Sequence, residues 1–599
     1  MRSDVRIGTR RAVIAVVAVG LVLAACSDDA SDSAGPTTTA AASTTAEVTA
    51  TTTSGGTEST EAETTEPETG SESTDPDTTE SESSTPESST PESGGSPIGG
   101  SDVPPEVASV IEEILAKDEY RHSTWGVMVR DEETGDVLVD VNGDTMFVTG
   151  SILKTLSAAG VLEAYGPDHT FATPVYGVGA VDGGVLRGDL VLVASGGDFN
   201  FGLRDQPDGT LEYASLPVLD HNEANTGLGA QISPTGDPFA AFDELSAQIA
   251  DAGITAIEGE VVIDDRIFEA FTGWPDGIIA PIWFNENVVD ITIAPGAAAG
   301  DPATVTWKPE TAAFTVQSSV TTVGQDEEAG ELVASLASPG VIEVTGGIAV
   351  GADPAPRIYK VDDPSAWART AFVESLSRAG ITVAAAATGP NPADLLPTAP
   401  YDEAQKLAEH TSAPLAELVK VILKVSYNRG ADLLVCLTAV SNGSTQCPDG
   451  IAPTITTIES LGIEDRTTFM FDGAGSDERD RTTPGSMTEF LRGVSEAPWG
   501  AAFEDGLPIL GEDGTLATNQ AGTPAAGNVF AKTGTRVGFI DANLGIATGL
   551  TQVGYVDAAS GRRLTYAVMV RDVPLGAVTE FFAIDEDQGE IAAAIQANF

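Results

Sequence analysis

Apolar positions recur at helical spacing between Pro104 and Lys117, where Val107, Val110, Ile111, Ile114 and Leu115 share one face behind a capping region at Ser101-Asp102. The period then changes to two. Trp125 to Val129 and Val137 to Val141 alternate and β-branch as strands do, joined through a Thr134-Gly135 turn, so a hairpin is predicted there. A second helix follows in Thr149 to Gly160, TGSILKTLSAAG. Much later, Val529 to Lys532, Thr551 to Val556 and Arg563 to Val570 read as strands, with a turn from Asp557 to Arg562 and a closing helix from Ile591 to Phe599.

Between these halves the pattern is mixed. Phe242 to Ala252 is amphipathic and leads through Gly253-Ile254 into a strand at Gly259 to Ile263, and Trp367 to Ala379 followed by Gly380 to Val383 repeats that order. The reading is an α/β (α+β) protein in which residues 102–173 and 398–599 form one domain. Residues 174–397 form an inserted α/β domain with a smaller β-rich unit nested at about 288–350. A chain of 599 residues is too long for one ordinary core.

The N-terminal hundred residues follow other rules. Residues 1–25 carry arginines at 2, 6, 10 and 11 and then an apolar run from Ala12 to Ala25, the form of a secretion signal. Leu23-Ala24-Ala25-Cys26 resembles the lipobox of bacterial lipoproteins, which predicts lipidation at Cys26, attachment to a membrane and an extracytoplasmic location; a plain signal peptide or a tilted anchor is the alternative. Residues 26–101 are Thr, Ser, Glu, Pro and Gly with no Lys or Arg, a composition that cannot bury a core and predicts a disordered, extended tether. Net charge is −61, from 29 basic and 90 acidic residues, which argues against nucleic acid as a partner. Cys436 and Cys447 are expected to form a disulfide outside the cytoplasm, with two buried thiols as the alternative. No ligand spacing predicts a metal, and no cofactor is expected.

The chemistry sits in three short motifs. Ser151 and Lys154 are one helical turn apart, so an amine stands beside a hydroxyl and, if uncharged, can take its proton during attack on a carbonyl. Of the eight lysines, only Lys154 has a serine three positions earlier. Downstream come Ser426-Tyr427-Asn428 and Lys532-Thr533-Gly534. S-x-x-K, S-x-N and K-T-G in this order form the signature of penicillin-binding proteins and class A β-lactamases. In that signature Ser426 relays a proton to the leaving amine and Asn428 hydrogen-bonds Lys154. Lys532 attracts a substrate carboxylate, Thr533 and Gly534 line the substrate strand, and the amides of Ser151 and Thr535 stabilise an oxyanion.

Beyond the motifs, the globular part resembles three-domain D-alanyl-D-alanine carboxypeptidases/endopeptidases, the class C low-molecular-mass penicillin-binding proteins. The matching stretches include GVLRGDLVLVASGGD (184–198), WFNENVVDITIAPG (283–296), DGAGSDERDRTTP (472–484) and GEDGTLATNQAGTPAAGNVFAKTGT (511–535). The resemblance implies a serine β-lactamase/DD-transpeptidase-like domain interrupted by inserted domains. It also implies cleavage of D-Ala-D-Ala peptides of peptidoglycan through an acyl-enzyme on Ser151, and inhibition by β-lactams. The chain departs from the family at Gly150, commonly Ala, at Asp432, commonly Glu, and at GAGSDERDR, commonly GSGLSR.

Other functions are weaker readings of the same residues. A β-lactamase needs a carboxylate-activated water, and no convincing Glu motif follows Ser426. A Ser-His-Asp hydrolase needs a G-x-S-x-G elbow, which is absent, and His122, His169, His221 and His410 have no partner motif. A catalytically dead wall-binding scaffold would show the loss of a motif residue, and none is lost.

Overall fold

The computed structural model describes residues 98–101, 103–214, 220–226, 234–273, 277–541 and 544–599. The signal sequence, Cys26 and almost all of the tether lie outside the described residues.

The predicted hairpin is β1 (Thr124–Asp131) and β2 (Val137–Val141), and the C-terminal strands are β3 (Val529–Asp541), β4 (Leu544–Asp557) and β5 (Arg563–Arg571). They form one antiparallel sheet in the order β2-β1-β5-β4-β3, with the short strand Val573–Leu575 added to β4. Two segments separated by almost 400 residues of sequence therefore share a sheet, and β3 ends the order. The alternation within β5 explains its burial on both sides. Leu564, Tyr566, Val568 and Val570 pack with helix α1 (Pro105–Leu115) and the C-terminal helix Phe581–Asn598, while Ala567 and Met569 face the opposite core. That second core is helical. It holds α2 (Leu153–Tyr165), α3 (Leu415–Lys424) and α4 (Asn428–Ser441), through Leu156, Leu162, Leu418, Ile422, Leu433 and Leu437.

Two local expectations change. Ser101-Asp102 does not cap α1: the N-cap is Pro104, with no side-chain cap, and the Ser101 hydroxyl donates to the Val137 carbonyl at 3.0 Å. Asp102 lies outside the described residues. The C-terminal helix begins at Phe581, ten residues before the predicted Ile591, because its first turns bury polar groups that break the apolar period. Asp587 accepts from Lys117 and Tyr120, and the Gln588 amide donates to the carbonyls of Leu550 and Val568, at 3.0 and 3.2 Å.

The middle of the chain builds a second sheet. Its order is Thr382–Val383, Ala256–Ile257, Val185–Val193, Ala172–Asp182 and Lys406–Thr411, with Val261–Asp264 parallel to Val185–Val193. The two predicted helix-to-strand units join in it, since Thr382–Val383 pairs in parallel with Ala256–Ile257. Their helices, Ala240–Asp251 and Pro364–Arg378, bring Phe242 and Phe372 into a stack 5.4 Å apart. The strand Lys406–Thr411 falls past residue 397 yet pairs with Ala172–Asp182, so this sheet reaches beyond the stretch read as the insertion. Around Val288–Ala294, short strands from Thr304 to Lys360 form the β-rich part. The chain enters and leaves the second sheet at adjoining points. The Phe171 amide donates to Ser412 Oγ at 2.9 Å, and the Ser412 amide donates to the Phe171 carbonyl at 3.0 Å.

Candidate active site

Ser151 lies in a single 3₁₀ turn, Gly150–Ile152, that runs directly into α2. Every residue of α2 from Leu153 to Leu162 is buried, so this helix passes through the core rather than over it. Lys154 is thereby fully enclosed, whereas Ser151 is half-buried and reachable. The Lys154 amine lies 2.6 Å from Ser151 Oγ, and it donates to Asn428 Oδ1 at 2.7 Å and to the Ala474 carbonyl at 2.9 Å.

The second motif joins α3 to α4. Ser426 has a φ of +59°, in the left-handed region that a non-glycine residue occupies only when its surroundings hold it there. On one side, Lys424 anchors the end of α3 by donating to the Leu507 carbonyl and to both oxygens of Asp513, all within 2.8 Å. On the other, Tyr427 is buried with its ring centroid 5.3 Å from that of Phe199. Cys436 and Cys447 are joined by a disulfide, which ties α4 to the segment that follows it.

The third motif lies on β3. Lys532 is buried, and its amine donates to Ser426 Oγ at 3.0 Å and to the Thr533 carbonyl at 2.8 Å. Burial, reinforced by the charge of Lys154, holds the Lys532 amine well below its ordinary value. Thr533 is half-buried with its hydroxyl 2.8 Å from that of Thr515, and Thr535 is exposed. Glycines bring this strand against the Ser151 turn. A Cβ on Gly534 would stand 2.5 Å from the Thr149 carbonyl and 2.9 Å from the Ser151 amide nitrogen. Gly150 has φ +51°, and a Cβ there would stand 2.9 Å from the Thr535 nitrogen, which accounts for glycine at a position where the family commonly has alanine. The structure thus brings Ser151, Lys154, Ser426, Asn428, Lys532, Thr533, Gly534 and Thr535 to one place.

Some contributors have no motif. Ala474 supplies a backbone carbonyl from the segment 472–480, whose shape comes from Asp472: its carboxylate accepts the amides of residues 474–477 at 2.6 to 2.9 Å. Thr551 on β4 donates to the Thr149 carbonyl at 2.8 Å and so pins the Ser151 turn to the sheet. The GAGSDERDR stretch marked the first of these as part of a family pattern; nothing in the sequence marks Thr551.

Asp220, His221 and Glu286 have ligand-type atoms within 4.8 Å of one another, all buried. These atoms already have partners. Arg204 donates to both oxygens of Asp220 at 3.0 and 3.1 Å and to Glu286, while His221 faces Asp290 at 2.8 Å and Glu286 at 3.2 Å. A cation there would displace an arginine.

Residues 107–580 match the model of the D-Ala-D-Ala carboxypeptidase 3 (S13) family. The chain belongs to that family. It is similar to the D-alanyl-D-alanine carboxypeptidase of Actinomadura sp. strain R39, with 28% identity over 459 residues, 72% of this chain and 77% of the relative. It is also similar to D-alanyl-D-alanine carboxypeptidase DacB of Haemophilus influenzae, with 23% identity over 483 residues, 76% and 86% of the two chains. In fold it is similar to the crystal structure of penicillin binding protein 4 (dacB) from H. influenzae, with a TM-score of 0.60, 19% identity, and 79% and 94% of the chains covered. That protein complexed with a β-lactam gives a TM-score of 0.57 at 20% identity, with 79% and 94% covered. The match agrees with the D-alanyl-D-alanine carboxypeptidase resemblance carried by the longer stretches of sequence, and the mixed helix-and-sheet fold is that of a penicillin-binding protein.

Proposed function

We propose that the protein is a serine-type D-alanyl-D-alanine carboxypeptidase acting on peptidoglycan stem peptides through an acyl-enzyme on Ser151. The observation that carries this reading is the set of partners around the Lys154 amine. A neutral amine has two hydrogens and one lone pair. Asn428 Oδ1 and the Ala474 carbonyl are oxygen acceptors, so they take the two hydrogens and leave the lone pair directed at the Ser151 hydroxyl.

In the proposed reaction, Ser151 Oγ attacks the carbonyl carbon between the two D-alanines and its proton passes to Lys154. The oxyanion is held by the amides of Ser151 and Thr535. The carbon–nitrogen bond then breaks, and the leaving amine receives a proton by way of Ser426. Terminal D-Ala departs, and water hydrolyses the Ser151 ester with Lys154 again as base. Lys532, whose positive charge is disfavoured by burial, gains a partner when the terminal carboxylate enters, which restores that charge and orients the peptide. β-Lactams, as mimics of D-Ala-D-Ala, acylate the same oxygen. Release of D-Ala from a diacyl-D-Ala-D-Ala peptide, with a fluorescent penicillin mapped to Ser151 by mass spectrometry, tests the reading. Folded wild-type protein that neither labels nor turns over would favour a scaffold role.

The same reading places the protein outside the cytoplasmic membrane, held by a lipid on Cys26. Among the described residues no helix is long and apolar enough to cross a membrane. Mass analysis of the mature N-terminus tests the anchor.

A further inference from the structure

Asn428 and Ala474, which both accept from the Lys154 amine, belong to different segments, and the carboxyl group of Asp432 joins those segments. Asp432 stands four residues after Asn428 on α4, on the same helical face. Its Oδ1 accepts the Gly473 amide at 2.9 Å, one residue before the Ala474 carbonyl. It is only 4% exposed. A Cβ on Gly273 would stand 2.8 Å from Asp432 Oδ2. Asp432 forms part of the wall of a cavity of about 220 Å³ shared with Phe271, Val435, Pro448, Ile451 and Phe471. The charged groups facing it are Asp472, from the segment carrying Ala474, and Lys154, from α2.

We propose that Asp432 is a positioning residue of this reaction: it clamps α4 to the 472–480 segment so that Asn428 and Ala474 meet the Lys154 amine, and its charge sets the pH at which that amine becomes a base. The proposal rests on the acyl-enzyme reading above. Its physical basis is reciprocal. A carboxylate beside an amine favours the ammonium form, which has no lone pair to take the Ser151 proton. Burial, with the charge of Asp472 added, pushes the Asp432 carboxyl up to about 7, against the pull of the Gly473 amide and of Lys154. The carboxyl therefore changes charge in the range where a base for this chemistry must work.

The test is the rate of labelling by fluorescent penicillin between pH 4.5 and 9, with melting temperatures, for wild type, Asp432→Asn and Asp432→Ala. The asparagine variant can still accept the Gly473 amide but carries no charge. It should keep the maximal rate and move the acid-side midpoint to lower pH by roughly half a unit or more. The alanine variant loses the clamp, and its maximal rate should fall by about tenfold or more. A merely structural role would lower both melting temperatures and leave the midpoint in place; a folded Asp432→Asn whose midpoint coincides with that of wild type overturns the proposal. The two readings fail separately. Wild type that is not labelled at Ser151 removes the acyl-enzyme, whereas labelled wild type with an unmoved variant midpoint removes only the role of Asp432.

Discussion

The Lys154 amine donates to the carbonyl oxygen of Ala474 at 2.9 Å, across 320 residues of sequence. The acceptor is backbone, so a change of the Ala474 side chain leaves it in place, whereas loss of the Lys154 side chain removes the donor. Ser151→Ala should abolish penicillin labelling and D-Ala release. Lys154→Ala should lower the labelling rate by about 10²–10⁴-fold, the usual worth of a general base, with the fold retained by circular dichroism. Unchanged labelling in Lys154→Ala would remove it as the base.

Gly475 turns the segment that presents Ala474. It has φ +81°, and a Cβ there would stand 1.8 Å from the Gly150 carbonyl, which is backbone and cannot step aside. Gly475→Ala should destabilise the protein by about 1–3 kcal/mol in urea melts and depress labelling of the remaining folded protein. A variant as stable and as reactive as wild type would contradict the close approach.

Cys436 and Cys447 are both buried, so the bond between them should survive mild reductant in the native state and be reduced only on unfolding. The double variant to serine should remain folded but lose about 2–3 kcal/mol, the entropy of closing so short a loop. Peptide mapping with and without reductant after denaturation reads the bond directly.

His410 predicts a pH dependence of stability. Burial lowers its proton affinity, but Asp198, 3.2 Å from Nε2, and Glu244, 3.0 Å from Nδ1, outweigh this and raise it from 6.5 to about 9. A folded-state value above the unfolded one means stability that is fully present below about pH 6.5 and lost as the pH rises through about 9. His410→Gln should therefore flatten the fall in melting temperature across that window, by an amount worth at most about 3 kcal/mol. His221, raised to about 10 against its burial by Asp290 and Glu286, remains in both proteins, so the difference isolates His410. Parallel curves would show that the proton affinity of His410 is the same in the folded and unfolded protein, and would remove its ion pairs as a source of the pH dependence.

The three motifs were legible because each depends on side-chain identity at fixed spacing: Ser151 to Lys154 is one turn, Ser426 to Asn428 spans a helix start, and Lys532 to Gly534 lies on one strand. The main sheet was legible for a related reason, since β1 and β5 are buried almost throughout and so read as short, nearly continuous apolar runs. What stayed hidden is carried by backbone or by polar burial. The Ala474 carbonyl could belong to any residue, Thr551 is one threonine among many, and Gln588 inside the C-terminal helix looks like a surface residue until its strand carbonyls are seen. The strand Lys406–Thr411 was missed because its apolar residues are sparse and its place comes from pairing with a segment more than 200 residues earlier.

The paired hydrogen bonds between Phe171 and Ser412 make the covalent entrance to the second sheet a doorway one residue wide on each side. Through such an entrance, the intervening chain can grow or shrink over evolutionary time without pulling Ser151 away from Lys532. The shared wall sets the limit on that freedom: Phe199 leans on Tyr427, between Ser426 and Asn428, so a lineage that remodels the far lobe too deeply would feel it at the Ser426 hydroxyl.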